Sequence, residues 1–224
     1  MIYEKYIDDI ISIILNNRDQ ISYGETIFNL DDKKLKMYKF DEHYYFSSLY
    51  VEEDVDHVTY VFYQNDGDFY IDCIACRNSK DEKHNLNGPA IIYFYHDNNK
   101  TASKEVYVKN GKFSRLDGPA IIDYDRRGIP TYKRFIVNSK EFTEKQYYDI
   151  IEKIKNNRKQ IRMSYDIFTL NAYLEIASFY KNEKLEQKIK DVIAIKEIVE
   201  KMDVHWKRRK NESRKNFKIK RRTN

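Results

Sequence analysis

The chain has 224 residues, with 41 Lys and Arg against 36 Asp and Glu, 41% apolar and 15% aromatic side chains. That is one domain of ordinary size with room for added helices, charged on its surface but too aromatic for wholesale disorder. No apolar run approaches the roughly 18 residues that a membrane span needs, and two cysteines exclude a disulfide-rich secreted scaffold and fit a reducing, intracellular setting. The start, MIYEKYIDD, carries acids where a secretory leader needs basic and apolar residues.

Taken in chain order, the first element is a helix over 2–16. Ile7, Ile10, Ile11 and Ile14 recur at helical spacing, and Asn16-Asn17 is a stop signal, since Asn tolerates the left-handed conformation. Strands are expected from about residue 35 to 142. YYFSSLYV (44–51) reads as one, and HVTYVFYQNDGDFYIDCIA as two alternating runs around Asn65-Asp66-Gly67, a strong hairpin signal.

Residues 86–142 repeat. LNGPAII (86–92) matches LDGPAII (116–122) at six of seven positions, and KEVYVKNGKF (104–113) aligns with KRFIVNSKEF (133–142) at an offset of 29. Gly88 and Gly118 are read as backbone conformations that a side chain would forbid, and Pro89 and Pro119 as the start of extended segments. Alternation puts Ala90, Ile92 and Phe94, with Ala120, Ile122 and Tyr124, toward a core, and the returning strands add Val106 and Val108, matched by Phe135 and Val137. Asn110-Gly111 and Asn138-Ser139 are turns. Each unit is then a hairpin, and the units join as an antiparallel meander.

This pattern, L-x-G-P-A-I-I followed by an aromatic strand and N-G-K, resembles the degenerate MORN-like repeats of hypothetical proteins from large DNA viruses and bacteriophages. FIVNSKEFTEKQYYDII (135–151) is similar to the strand-turn-helix ending of such repeats. The resemblance covers about a third of the chain, 84–151. It implies a sheet of repeat hairpins in a viral protein and no catalytic residue.

A longer repeat brackets the first: residues 4–30 and 144–170 are identical at 14 of 27 positions without a gap. Tyr147, Ile150, Ile151 and Ile154 mark the second helix, with Thr143 as its N-cap. The two copies read as similar helices closing the ends of the sheet, or, if Arg18 and Arg158 act together, as paired ligand sites. NAYLEIASFY (171–180) and 185–206 are further helices, the latter with a stripe of Leu185, Ile189, Val192, Ile193, Val199, Met202 and Trp206 interrupted by Lys196. Residues 207–224 form a basic tail expected to be mobile. Within it Lys207, Arg208, Arg209, Lys210, Arg214, Lys215, Lys218, Lys220, Arg221 and Arg222 give 207–222 a net charge of +9, leaving the remainder at −4. The fold class expected is α+β: a single domain over 1–206, a repeat meander flanked by helices, then the tail.

Chemical motifs are sparse. Cys73-Ile74-Ala75-Cys76 would need both sulfurs on one side for zinc or redox work, whereas an alternating strand points them apart. A zinc site would further need two of His43, His57 and His84. Asp123 and Asp125 read as one charged strand face. No phosphate-binding loop, nucleophile elbow or H-E-x-x-H is present, so no catalytic residue, metal or cofactor is expected. Two elements remain as contacts. Tyr93, Tyr95, Tyr107 and Tyr132 are expected on the sheet face away from the core, either as a recognition surface for a protein partner or covered by helices. The basic tail would neutralise nucleic-acid phosphates, direct nuclear import, meet an acidic partner or serve solubility alone. The leading expectation is a non-catalytic interaction or scaffold protein, and the alternative a nucleic-acid-associated one.

Overall fold

The computed structural model describes residues 6–21, 25–30, 33–50, 57–97, 100–156 and 159–220, with backbone alone for Tyr50 and for 205–220. The protein is α+β. Helix α1 (Ile7–Asn16) precedes strands β1 (Thr26–Leu30), β2 (Lys33–Lys39), β3 (Tyr44–Tyr50), β4 (His57–Asn65), β5 (Asp68–Arg77), β6 (Ile91–Phe94), β7 (Ala102–Val106), β8 (Val108–Lys109), β9 (Lys112–Phe113), β10 (Ile121–Tyr124), β11 (Pro130–Val137) and β12 (Lys140–Phe142). Helices α2 (Glu144–Lys155), α3 (Ile167–Phe179) and α4 (Glu183–Lys220) follow. The chain divides into two compact units, Met1–Tyr147 and Tyr148–Asn224.

In the first unit ten strands form one antiparallel sheet in the order β1-β2-β3-β4-β5-β6-β7-β10-β11-β12, and β8 and β9 form a separate two-stranded ladder. The sheet begins at β1, ahead of the expected start near residue 35. Two adjacent rungs run through it without a break, with bulges beside them at Val61/Phe62, Tyr93/Phe94 and Asp123/Tyr124. Tyr38, Phe46, Val61, Cys73, Tyr93, Lys104, Asp123 and Tyr132 are successive partners across eight strands, β2 to β11. The neighbouring rung is Met37, Ser47, Tyr60, Ile74, Ile92, Glu105, Ile122 and Lys133. Directly opposed residues share a face and adjacent ones alternate, so the two rungs lie on opposite sides.

The second rung carries the main core. Met37, Ser47, Tyr60, Ile74 and Ile92 are buried, and all but Ser47 belong to one apolar cluster with Leu35, Leu49, Val58, Phe62, Ile71 and Cys76 and with Ile7, Ile10 and Ile14 of α1. Full burial of an Ile stabilises by about 1.5–3 kcal/mol, so the three isoleucines fix α1 on this face. Lys100, in the β6–β7 turn, adds an ion pair with Asp8.

The repeats superpose in their hydrogen bonding. Ala90 N donates to Val106 O and Ala120 N to Arg134 O, both at 2.8 Å; Asn85 N donates to Val108 O and Arg115 N to Ile136 O, both at 3.1 Å. Loop carbonyls are held alike, with Asn85 Nδ2 on Pro89 O at 3.0 Å and Arg115 Nη1 on Pro119 O at 3.4 Å. Returning-strand equivalents are therefore 28 residues apart, not 29: Val106 corresponds to Arg134, and Val108 to Ile136. The second hairpin is two residues shorter, and one residue of slip exchanges the faces. Val106 opposes Ile91 and Ile121, on the side away from Ile92 and Ile122. Ala90, Val106, Val108, Ala120, Ile121 and Ile136 form a second apolar cluster, so the repeat segment is buried on both faces rather than one. Of the expected inward set, Ala90, Ile92, Phe94, Ala120, Ile122, Val106, Val108, Phe135 and Val137 are buried, whereas Tyr124 is only half-buried.

The turns explain their residues. Asn110 and Gly111 have φ of 48° and 72°, and Asn138 and Ser139 have 48° and 64°. Both pairs are left-handed, as a tight hairpin of matching twist requires. Gly88 and Gly118 are different. Among the described residues the positive-φ glycines are Gly67, Gly111 and Gly128. At Gly118 the constraint is space: a Cβ would lie 3.3 Å from the Arg115 guanidinium carbon.

The long repeat holds for its helix and then diverges. Ile7, Ile10 and Ile14 are buried, as are Tyr147, Ile150 and Ile154. Thr143 caps α2 reciprocally: Gln146 N donates to Thr143 Oγ1 at 3.3 Å and Thr143 N to Gln146 Oε1 at 3.0 Å. Asn17 stops α1 with φ of −131°, outside the left-handed region; its Nδ2 donates to Ile13 O at 2.9 Å, so the amide meets an orphan carbonyl directly. Ile27-Phe28 lie in β1, whereas Ile167-Phe168 open α3.

In the second unit α3 packs against α4. Leu170, Ala172, Tyr173, Ile176 and Ala177 of α3 are buried, as are Leu185, Ile189 and Val192 of α4. Burial stops there: Ile195, Ile198, Val199 and Met202 are exposed. Helical backbone runs past Trp206 to Lys220, because no Gly or Pro interrupts 183–220 and Lys, Arg and Glu are good helix formers. No helix among the described residues is long and apolar enough to cross a membrane.

Ser139 holds a left-handed conformation that costs a residue with a Cβ about 1–2 kcal/mol. Ser139→Gly is expected to raise stability by about 0.5–1 kcal/mol after the added chain entropy of Gly, read as a higher urea midpoint at unchanged slope. A lower midpoint would contradict the turn assignment.

Candidate functional site

The sheet face away from α1 is the candidate interface. Period-two alternation places Tyr38, Phe46, Tyr44 and Tyr63 on it, because Met37, Tyr45 and Phe62 are committed to the core. Tyr38 stacks on Phe46 with centroids 5.3 Å apart, and Phe40 meets Phe46 edge-on at 5.5 Å. Tyr44 lies 5.3 Å from Tyr63, which stacks on His96 at 4.6 Å. His96 Nε2 lies 2.8 Å from Asp72 Oδ1. Phe40 is 63% exposed, Tyr132 55%, and Tyr38 and Tyr93 38% each. Between Tyr93 and Tyr132 the rung is bridged by Lys104 Nζ, 3.2 Å from Asp123 Oδ1.

The four tyrosines expected on one face do not share it. Tyr93 and Tyr132 lie on the outer rung. Tyr107 and Tyr124 instead both donate to Glu105 Oε2, at 3.1 and 3.0 Å. The Arg115 guanidinium sits 3.8 Å from the Tyr107 ring centroid and donates to Asp117 Oδ1 at 2.7 Å. Tyr95 donates to Tyr124 O at 2.6 Å, with Arg126 over its ring at 4.9 Å. These residues brace the two repeats. Burial and then the Glu105 charge push the Tyr107 hydroxyl up to about 12, and Tyr124 up for the same reasons. Hydrogen bonding from Arg115 holds the Asp117 carboxyl below its usual value.

The cysteines behave as the alternating strand requires. Cys73 lies on the outer rung and Cys76 in the α1-side core, and no disulfide joins them. Burial pushes both thiols up to about 12. Among the described residues no three His, Cys, Asp or Glu side chains gather as metal ligands. His84 is buried, and its Nδ1 accepts from Asn110 N at 3.0 Å; in the second repeat Ser114 Oγ accepts from Asn138 N at 3.1 Å. Its role is thus to hold a turn. Arg18 donates to Gly67 O at 2.8 Å and lies over Phe69 at 4.9 Å, which ties α1 to the β4–β5 turn; Arg158 lies outside the described residues.

Of the tail, Lys207, Arg208, Arg209, Lys210, Arg214, Lys215, Lys218 and Lys220 fall on α4 backbone without described side chains, and Arg221 and Arg222 lie outside the described residues. The Tyr38–Phe40–Phe46 cluster was missed in the sequence. Its signal was available: Y-x-F in KMYKFDE followed by an alternating aromatic strand.

The raised thiols set a pH dependence. The folded state keeps both thiols protonated while the unfolded chain ionises them from about pH 9, so stability is full below that and falls as pH rises toward about 12. Each thiol adds about 1.4 kcal/mol per pH unit to the decline. Urea midpoints at rising alkaline pH are expected to fall less steeply in the Cys73→Ala/Cys76→Ala double variant than in the wild type; equal slopes would contradict the thiol assignment.

No family model, curated protein or solved structure matches the chain.

Proposed function

We propose that this is a non-catalytic protein-interaction protein, built on MORN-like repeat hairpins and acting inside a cell infected by a large DNA virus or phage, whose docking surface is the outer face of the sheet. The observation that carries it is the eight-strand rung from Tyr38 to Tyr132. It holds half-exposed aromatic side chains on a scaffold whose other face is a core. Tyr and Phe supply contact area at low conformational cost, and aromatic anchors dominate the energy of protein interfaces. The partner it fits presents apolar side chains within a polar rim. A second reading, nucleic-acid association, rests on the ten Lys and Arg of 207–222.

Phe40 and Tyr132 are exposed enough to change without unfolding the sheet. Immobilised wild-type protein is expected to retain a partner that the Phe40→Ser/Tyr132→Ser variant loses by at least about tenfold, the size of one aromatic hot spot. An Ile195→Ser control in α4 should keep it. Retention unchanged in the double variant overturns the sheet-face reading; capture abolished by nuclease and by salt favours the second reading instead.

A further inference from the structure

A concavity in the second unit has a chemistry that the sheet face lacks. It is a cavity of about 670 Å³ lined by Lys155, Lys159, Lys181, Lys184 and Lys188, together with Tyr180, Asn182, Leu185 and a single carboxylate, Glu183. Five ammonium groups against one carboxylate give the lining a formal charge of +4. The size is that of a small-molecule site.

Three elements build it. Lys155 ends α2, Lys159 follows it, and Lys181 to Lys188 span the junction of α3 with the first turns of α4. That junction is fixed. Lys181 N donates to Ser178 O at 3.0 Å and Asn182 N to Ala177 O at 2.9 Å, which closes α3 with Lys181 at φ of 54°. This is the position where helices place Gly, and here it carries a lysine. Asn182 then caps α4, its Oδ1 accepting from Leu185 N at 3.2 Å, while its Nδ2 donates to Ile154 O at 2.8 Å. Lys153 O likewise accepts from Lys159 N at 3.1 Å. Two terminal carbonyls of α2 are thereby engaged within the chain, and the positive end of the long α4 dipole reinforces the lysines.

The lysines are held but not neutralised. Lys159 Nζ lies 4.3 Å from the Tyr173 ring centroid and donates to Tyr173 Oη at 3.3 Å; Lys155 Nζ lies 5.9 Å from the Tyr180 centroid. None of the five forms an ion pair among the described residues, whereas Lys153 and Lys190 on the same helices are paired with Asp149 and Glu186 at 2.6 Å each. Aromatic rings orient ammonium groups without cancelling their charge.

We propose that this concavity binds a compact polyphosphate anion, the chemistry shared by inorganic tripolyphosphate and the phosphate chain of a nucleoside triphosphate. The site is distinct from the sheet face and from the basic end of α4. Five lysines in one lining match several negative oxygens held close together better than a single carboxylate would, and a compact anion suits a concavity of this size.

Calorimetric titration of the full chain with sodium tripolyphosphate and with ATP tests this. Binding is expected at about 50 mM salt and is expected to weaken several-fold at about 300 mM. Lys155→Gln, Lys184→Gln and Lys188→Gln, all at exposed positions, should each weaken binding by roughly tenfold, the effect of one charge-assisted hydrogen bond. Lys190→Gln should leave it unchanged, and so should Lys207→Gln/Lys210→Gln/Lys215→Gln. Circular dichroism of each variant checks folding. Equal affinity for the two ligands assigns the site to the phosphate chain alone; tighter ATP binding that is lost in Tyr180→Leu assigns it to a nucleotide. No binding of either ligand at low salt overturns the proposal, as does binding that follows the triple tail variant rather than the concavity lysines. Neither result bears on the sheet-face interaction, which is read with a different partner and different variants.

Discussion

The first unit depends on one constraint: the register of an antiparallel sheet unbroken from β2 to β11. Side chains alternate with a period of two, so the pairing that sets Met37 opposite Ser47 also decides, seven strands on, that Tyr132 faces outward and Lys133 does not. The register is pinned at intervals by bonds that do not belong to the ladder. Asn85 and Arg115, different side chains at equivalent positions, each hold the carbonyl of the following proline. His84 and Ser114 each accept from the first residue of a tight turn. The repeat thus conserves hydrogen-bond geometry more closely than side-chain identity, and the G-P-A segment marks where the chain re-enters the sheet.

That constraint separates structure from surface. From β2 to β6 the inner rung is spent on α1 and the apolar cluster beneath it. The outer rung has aromatics at both ends, a buried Val61 between them, and an ion pair, Lys104–Asp123, toward one end. A paired charge beside aromatic ends is a common composition for an interface, where apolar anchors give energy and polar groups give orientation. The Tyr107–Glu105–Tyr124 group belongs to the other category. Its hydroxyls are consumed by a shared carboxylate, and its elevated titration follows from burial and that charge.

The sequence made the hairpins legible because their turns carry Asn-Gly and Asp-Gly pairs, whose backbone requirement is local. The helix of the long repeat was legible for the same reason. The faces of the returning strands were not. Both hairpins carry a bulge at the same place, Tyr93/Phe94 and Asp123/Tyr124, so the two-residue difference lies in the turn, from Phe94 to Ala102 in one and from Tyr124 to Pro130 in the other. Nor does sequence identity decide between strand and helix at Ile27-Phe28 and Ile167-Phe168. In the second copy Asp166 precedes the pair and accepts from Thr169 N at 2.8 Å and from Thr169 Oγ1 at 2.8 Å, which starts a helix. In the first copy Thr26 stands in its place, and β2 supplies a partner strand. The lysine concavity was invisible because Lys155 and Lys184 are 29 residues apart and meet only through the α3–α4 junction.

Charge in this protein is informative by convergence, not by number. The sequence draws the eye to 207–222, where basic residues are densest. Around the α3–α4 junction fewer lysines are gathered, yet they line one concavity, and the nearby acids Asp149 and Glu186 are already paired with other lysines. Uncompensated like charges held together raise the energy of the empty state. An anion of matching size relieves that energy as it binds, and this gives a small cluster more selectivity than a longer, solvated run of the same sign.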